Sequence, residues 1–535
     1  MSRASVDAGV VAPGRRRRTL VTEENRRWWT LGAVSFSLFM IMLDNTIVNV
    51  ALPSIGRGLG VGVSQLEWVV NAYTLAFAVL MLTAGRVADL RGRRLVFATG
   101  LAVFTLSSLA CGLAPGAETL IAARTVQGAG AAMMMPATLS IISAAFPREE
   151  RGTAIGIWAG VSAMALAVGP LLGGLLTEHV GWQWIFFVNV PIGTLALAAA
   201  RVLVRESKSS RRAQRLDLAG LLASAAGLLA LTYALIEGNG YGWSSAPIVG
   251  LFAAAAVFLT AFVILERRRA GAMLDLRLFR RRTFTGANLS ALLVSLAMFG
   301  IFFFVSIYMQ DILGYSAVRT GTTFLPMTGL IAVAAPLAGR VTDRAGPRWP
   351  IVAGMALLAL ALFLFSRLDA GSGYLDMLPG MLIGGAGVGL AMGPMTAAAL
   401  STVSADEAGV GSGVLTTSRQ IGGALGVAVM GAIVAAAETV PATDPRFPLQ
   451  FVTGFQHALE AGAGIALAGA VLAAVLVRRE LPPAPEPAPA ASEAACRPPG
   501  GRVRSPACTT SGGCATPPPT SASTTGGAPG TPGVS

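Results

Sequence analysis

The chain has 535 residues, of which 54% are hydrophobic and 13% charged, with a formal net charge of +13. An excess of base on that scale can mark a nucleic-acid partner. Here it sits in alternate short loops between long apolar stretches, so it reads as membrane topology and excludes nucleic-acid binding.

Fourteen apolar stretches follow one another, near 28–51, 68–88, 95–114, 120–145, 153–177, 184–204, 216–236, 246–266, 285–310, 321–341, 349–367, 375–399, 409–437 and 452–477. Each is long enough to cross a ~30 Å hydrocarbon core at ~1.5 Å per helical residue. Backbone amides inside lipid must be satisfied within the segment, so these spans are helices. The predicted class is an all-α polytopic membrane protein with 14 transmembrane helices.

Basic residues gather in Arg15–Arg18, at Arg91, Arg93 and Arg94, at Arg148 and Arg151, and across 201–215 and 267–282. All of these lie on one side of the predicted topology, which places both termini in the cytoplasm. Every basic side chain except Lys208 is arginine, a compositional sign of a GC-rich genome. No cleavable signal peptide is expected, because the first apolar run is a full span without a small-residue cleavage site. Cys111 falls in span 3. Cys496, Cys508 and Cys514 fall in the tail, where a cytoplasmic location keeps thiols reduced, and no nearby His completes a metal site. The tail, from about 481, is rich in Pro, Ala, Ser, Thr and Gly and is predicted to be disordered.

One short segment occurs twice. Gly85-Arg-Val-Ala-Asp89-Leu-Arg91-Gly92-Arg93-Arg94 follows span 2, and Gly339-Arg-Val-Thr-Asp343-Arg-Ala-Gly346-Pro-Arg348 follows span 10. Duplication of this kind marks transporters whose substrate site lies between the repeats. The expected organisation is a basic N-terminus at 1–27, a six-helix half at 28–204, inserted helices 7 and 8 with basic linkers at 205–284, a second six-helix half at 285–477, and the tail at 478–535.

The duplicated segment resembles the cytoplasmic loop motif between helices 2 and 3 of the major facilitator superfamily. Leu43-Asp44-Asn-Thr46-Ile47-Val48-Asn49-Val50-Ala51-Leu52-Pro53 resembles the first-helix motif of its 14-helix drug:proton antiporter family. Arg124-Thr-Val-Gln127-Gly128-Ala-Gly130 is similar to the superfamily's fourth-helix arginine motif. Val168-Gly169-Pro170-Leu-Leu-Gly173-Gly174 is similar to the motif that marks antiporters, with Ala165 where a glycine is usual. The second-half loop has Pro347 where the first has Arg93, so the two loops are not equivalent in detail. The resemblance covers about 28–477.

Asp44 lies in the middle of span 1. A carboxylate near the bilayer centre costs roughly 2.5–3.5 kcal/mol on insertion scales, so it is expected to face a cavity or a partner. Arg124 in span 4 is its natural partner and cannot give up its proton, so the pair is expected either to couple proton uptake to movement or to stand as a static ion pair. Gln127, one turn on, extends that network. Asn45, Asn49, Asn71, Tyr73, Phe299, Phe303 and Met392 are candidates for the substrate cavity, each with ordinary packing as the alternative. For Asn49 helix–helix contact is the first reading and substrate contact the second. Gly85, Asp89 and Arg93, with Gly339 and Asp343, form the conformational motif. The family's fold implies Asp89 beside the start of span 13, near Arg419. Gly169, Pro170, Gly173 and Gly174 are expected to form a tight seam.

No catalytic constellation appears, and no G-x-x-x-x-G-K-[ST] segment offers an ATP site. The chain reads as a non-enzymatic exporter that exchanges protons for amphipathic drugs, antibiotics or dyes across the cytoplasmic membrane. Export of an endogenous metabolite is the alternative, and a non-transporting membrane sensor a remote one. No cofactor or metal is expected; the partners are membrane lipids, a small organic substrate and protons, and the working unit is expected to be a monomer.

Overall fold

The computed structural model describes residues 25–147, 150–207, 217–268, 274–403, 408–438, 440 and 444–478. The N-terminal arginine run and the predicted disordered tail lie outside the described residues. Among the described residues, fourteen helices are long and apolar enough to span a membrane. They are α1 (Arg26–Leu59), α2 (Val63–Arg91), α3 (Arg93–Gly112), α4 (Ala117–Ala145), α5 (Thr153–His179), α6 (Trp184–Leu203) and α7 (Leu218–Tyr241), followed by α8 (Ala246–Arg268), α9 (Arg282–Ile312), α10 (Ala317–Ala345), α11 (Arg348–Phe365), α12 (Tyr374–Ser401), α13 (Val410–Ala437) and α14 (Phe447–Leu476). All fourteen predicted spans correspond to these helices.

The packing repeats with an offset of eight helices. α1 packs on α5 as α9 packs on α13. α2 and α3 pack on α4 as α10 and α11 pack on α12, and α6 lies on α1 and α3 as α14 lies on α9 and α11. The two six-helix halves meet along two crossed seams, α2 against α13 and α5 against α10, with α1 touching α9 between them. α7 and α8 pair with each other, and α7 leans on α2 and α13. The inserted pair therefore covers one seam from outside. Burial follows this plan: 89% of the most apolar stretch of α9 is buried, against 11% for α8, whose apolar surface is left for lipid.

Alternate helices run in opposite directions, so the bundle has two ends. The terminal end carries residues 26 and 476; the distal end carries the connections after α1, α3, α5, α7, α9, α11 and α13. Two glycines set the tight turns that flank α2. Gly60 closes α1 in the left-handed region at φ 67° and donates its N–H to Gly56 O. Gly92 takes φ 127° between α2 and α3. Any Cβ there would also collide with the Glu206 carboxylate, which accepts the N–H groups of Arg94 and Leu95, each at 3.1 Å, at the start of α3. An anion at that position satisfies exposed helix N–H groups and complements the helix dipole.

Candidate functional site

At the middle of α1, Asp44 is completely buried and Arg124, on α4, is 2% exposed. Arg124 Nη1 donates to Asp44 Oδ2 at 2.5 Å and to Gln127 Oε1 at 2.8 Å, while Gln127 Nε2 donates to Asp44 Oδ1 at 3.0 Å. Both carboxylate oxygens thus have donors, and the three side chains close a ring. Arg124 Nε donates to Val69 O on α2 at 3.1 Å, and the guanidinium lies 4.2 Å from the centre of the Tyr73 ring. The result ties α1, α2 and α4 together through one buried cation. Burying a charge is costly unless it is paired and hydrogen-bonded, and this site meets both conditions. A proton on Asp44 would neutralise the carboxylate that Arg124 and Gln127 hold.

The other predicted cavity residues divide. Asn45 donates to Ile41 O and Asn49 to Asn45 O, so both amides turn back onto their own helix. Asn71 and the Tyr73 hydroxyl are buried with no hydrogen-bond partner. Phe299 lies against Gly423 of α13. Phe303 is fully buried beside Phe304, with ring centres 4.7 Å apart, which makes it a packing residue in this arrangement. Met392 is half-buried, and its carbonyl accepts from Arg419 Nη2 at 3.1 Å. A cavity of about 550 Å³ lies at the distal turn between α11 and α12, lined by Arg367, Asp369 and Asp376 among others, and shares no residue with the Asp44 ring.

The α5 glycines lie where helices approach closely. A Cβ on Gly169 would collide with Thr46 on α1, and one on Gly174 would collide with the Ala317 carbonyl at the start of α10. Gly173 sits over the Ile47 carbonyl, at 2.9 Å from an ideal Cβ. Pro170 presents its own carbonyl to Gly321 of α10. This stretch of α5 therefore packs α1 on one side and the second half on the other.

The duplicated loops differ from the family-based expectation in one respect. Asp89 pairs with Arg93 one turn away, at 3.0 Å, whereas Arg419 donates to Met392 O and Thr396 Oγ1 on α12. Asp89 and Arg419 do not bond to each other here, because each has a nearer partner on its own side. Gly85 lies against Pro136 of α4, at 3.3 Å from an ideal Cβ, whereas Gly339 faces open space and Asp343 is exposed.

At the distal end the halves are joined by polar contacts that the sequence did not reveal. Arg57 Nη1 pairs with Asp311 at 2.8 Å, Gln310 Nε2 donates to Val50 O at 2.7 Å, and Glu178 accepts the Val318 N–H at 2.7 Å. Gln310 and Asp311 belong to a π-helical turn, Tyr308–Ile312, that ends α9. Such turns carry an extra residue and often lie at functional positions. Also unanticipated is Glu67 on α2, which is 3% exposed.

The Major Facilitator Superfamily model matches residues 34–427. Multidrug resistance protein Stp of Mycobacterium tuberculosis is 41% identical over 378 residues, 70% of each chain. Puromycin resistance protein pur8 of Streptomyces alboniger is 41% identical over 387 residues, 71% of this chain and 76% of that one. The tetracenomycin C resistance and export protein of Streptomyces glaucescens is 36% identical over 348 residues, 65% of each. A crystal structure of a bacterial homologue of the human lysosomal transporter Spinster, inward-facing and unoccupied, shares the fold with a TM-score of 0.61 at 17% identity, covering 85% of this chain and 97% of that one.

Proposed function

This chain belongs to the major facilitator superfamily, and we propose that it is a proton-coupled exporter of amphipathic drugs or antibiotics across the cell membrane. The observation that carries the coupling is the buried Asp44–Arg124–Gln127 ring, a titratable carboxylate held by a cation that cannot titrate. Protonation from outside loosens the ring, and release of the proton to the cytoplasm re-forms it. Substrate leaves in the opposite sense by alternating access between the two halves. A driving force near 150–200 mV delivers roughly 3.5–4.5 kcal/mol per proton, at ~2.3 kcal/mol per 100 mV. That sustains about a thousandfold gradient of a neutral solute.

The arginine bias of the loops at the terminal end supports a cytoplasmic location for that end. A monomeric working unit is supported by the position of both seams, which lie within one chain. The drug-resistance and antibiotic-export names of the relatives support a small organic substrate over an ion or a sugar. Two of those relatives are Streptomyces proteins, named for puromycin resistance and for tetracenomycin C resistance and export, which gives specific support to a second reading, export of a self-made antibiotic.

The test is dye or antibiotic efflux from proteoliposomes under an imposed pH gradient. Wild-type protein is expected to move substrate against its gradient, and Asp44→Asn to lose gradient-driven movement while remaining inserted and monodisperse. Undiminished efflux by Asp44→Asn would remove Asp44 from the coupling.

A further inference from the structure

We infer that Tyr73 and Phe186 are positioning residues for the proton site: their rings form a slot that keeps Arg124 in place while Asp44 is neutral, a role that rests on Asp44 carrying the proton. The slot is built by α2 and α6, outside the two helices that carry the charged pair. The guanidinium carbon lies 4.2 Å from the centre of the Tyr73 ring and 5.8 Å from that of Phe186. Both aromatic side chains are completely buried.

Neither ring is free to swing away. The Tyr73 backbone is pressed against α4 at Gly128, where an ideal Cβ would come within 2.3 Å of the Tyr73 carbonyl oxygen. The Tyr73 ring packs edge-on against Phe77, with centres 6.0 Å apart. Phe186 is fixed from the other side. Its carbonyl accepts from Ser108 Oγ of α3 at 2.9 Å, and its ring packs edge-on against Trp182. Helix α2 also grips the guanidinium through Val69 O, one turn before Tyr73.

Among the described residues Asp44 is the only ion-pair partner of Arg124. A proton on Asp44 therefore leaves a buried cation without its counter-charge, and a guanidinium cannot shed its own proton in response. What still faces Arg124 is neutral: Val69 O, Gln127 Oε1 and the two rings. An aromatic face is the negative part of the ring's quadrupole, and it attracts a desolvated cation more strongly than a hydrated one. While Asp44 is ionised, its carboxylate already neutralises most of the cation's field. The rings thus contribute more to the neutral state of Asp44 than to the charged one. The Tyr73 hydroxyl is buried without a hydrogen-bond partner, so the contact belongs to the ring face and a phenylalanine retains it.

The test is a double-mutant cycle on the full-length protein, read as the melting temperature in detergent with no substrate and no gradient. Asp44→Asn stands in for the neutral carboxyl. Tyr73→Leu is expected to lower the melting temperature of wild-type protein, and to lower that of Asp44→Asn by about twice as many degrees or more. Tyr73→Phe is expected to match its parent in both backgrounds. If the Asp44→Asn, Tyr73→Leu protein does not assemble, Phe186→Leu takes its place, with a smaller excess in the same direction. Equal losses in the two backgrounds would make the ring ordinary packing and overturn the proposal. A Tyr73→Phe variant that behaves as Tyr73→Leu would overturn it as well. Efflux that proved independent of Asp44 would remove the coupling and leave a positive cycle standing, whereas an additive cycle leaves the coupling standing.

Discussion

Arg57, near the distal end of α1, and Asp311, in the π-helical turn that ends α9, form an ion pair of 2.8 Å that joins the two halves of the bundle. Both side chains are well exposed, at 58% and 40%. Exposed pairs contribute at most about 1 kcal/mol, and the Gln310–Val50 and Glu178–Val318 hydrogen bonds remain when this one is removed. Arg57→Ala is therefore expected to loosen the distal closure by less than about fivefold. Thiol labelling of a cysteine placed at Ser54 measures it, and adding Glu178→Ala should increase labelling further. Labelling unchanged in the double variant would show that packing of α5 on α10 alone keeps this end shut.

Glycine at 169 is expected to be irreplaceable and glycine at 160 is not. A side chain at Gly169 enters Thr46, whereas a Cβ at Gly160 meets nothing within 4 Å. Overpacking of a filled interface costs about 1–3 kcal/mol. Gly169→Val should thus lower the melting temperature in detergent by several degrees, and Gly160→Ala should leave it unchanged or raise it slightly. Equal melting temperatures would mean that α5 can withdraw from α1 freely.

Much of this was legible in the chain because lipid imposes simple costs. Spans are read from apolar length, and Asp44 and Arg124 stand out because charge in mid-span demands a partner. Glu67 escaped notice for the opposite reason. It lies one turn from the start of α2, where charge is ordinary, and its neighbours Glu237 and Glu438 are far away in the chain. The side-chain directions of Asn45 and Asn49 were not legible either, since an amide in lipid satisfies itself on its own helix as readily as on a ligand. The contact expected between Asp89 and Arg419 gave way to a local one, because Arg93 stands four residues from Asp89 and reaches it without any movement of the halves. The π-helical turn at Tyr308–Ile312, which aims Gln310 and Asp311 across the seam, has no periodicity that an apolar run displays.

The central claim is that a proton on Asp44 and the state of the Arg124 ring are linked. It is tested most directly by titrating purified wild-type protein and Asp44→Asn with substrate in weakly buffered solution and recording proton release or uptake on binding. The account predicts a substoichiometric to stoichiometric proton exchange in wild type that varies with pH and is absent in Asp44→Asn, although that variant still binds substrate. Proton exchange of the same size and pH dependence in both proteins would contradict it.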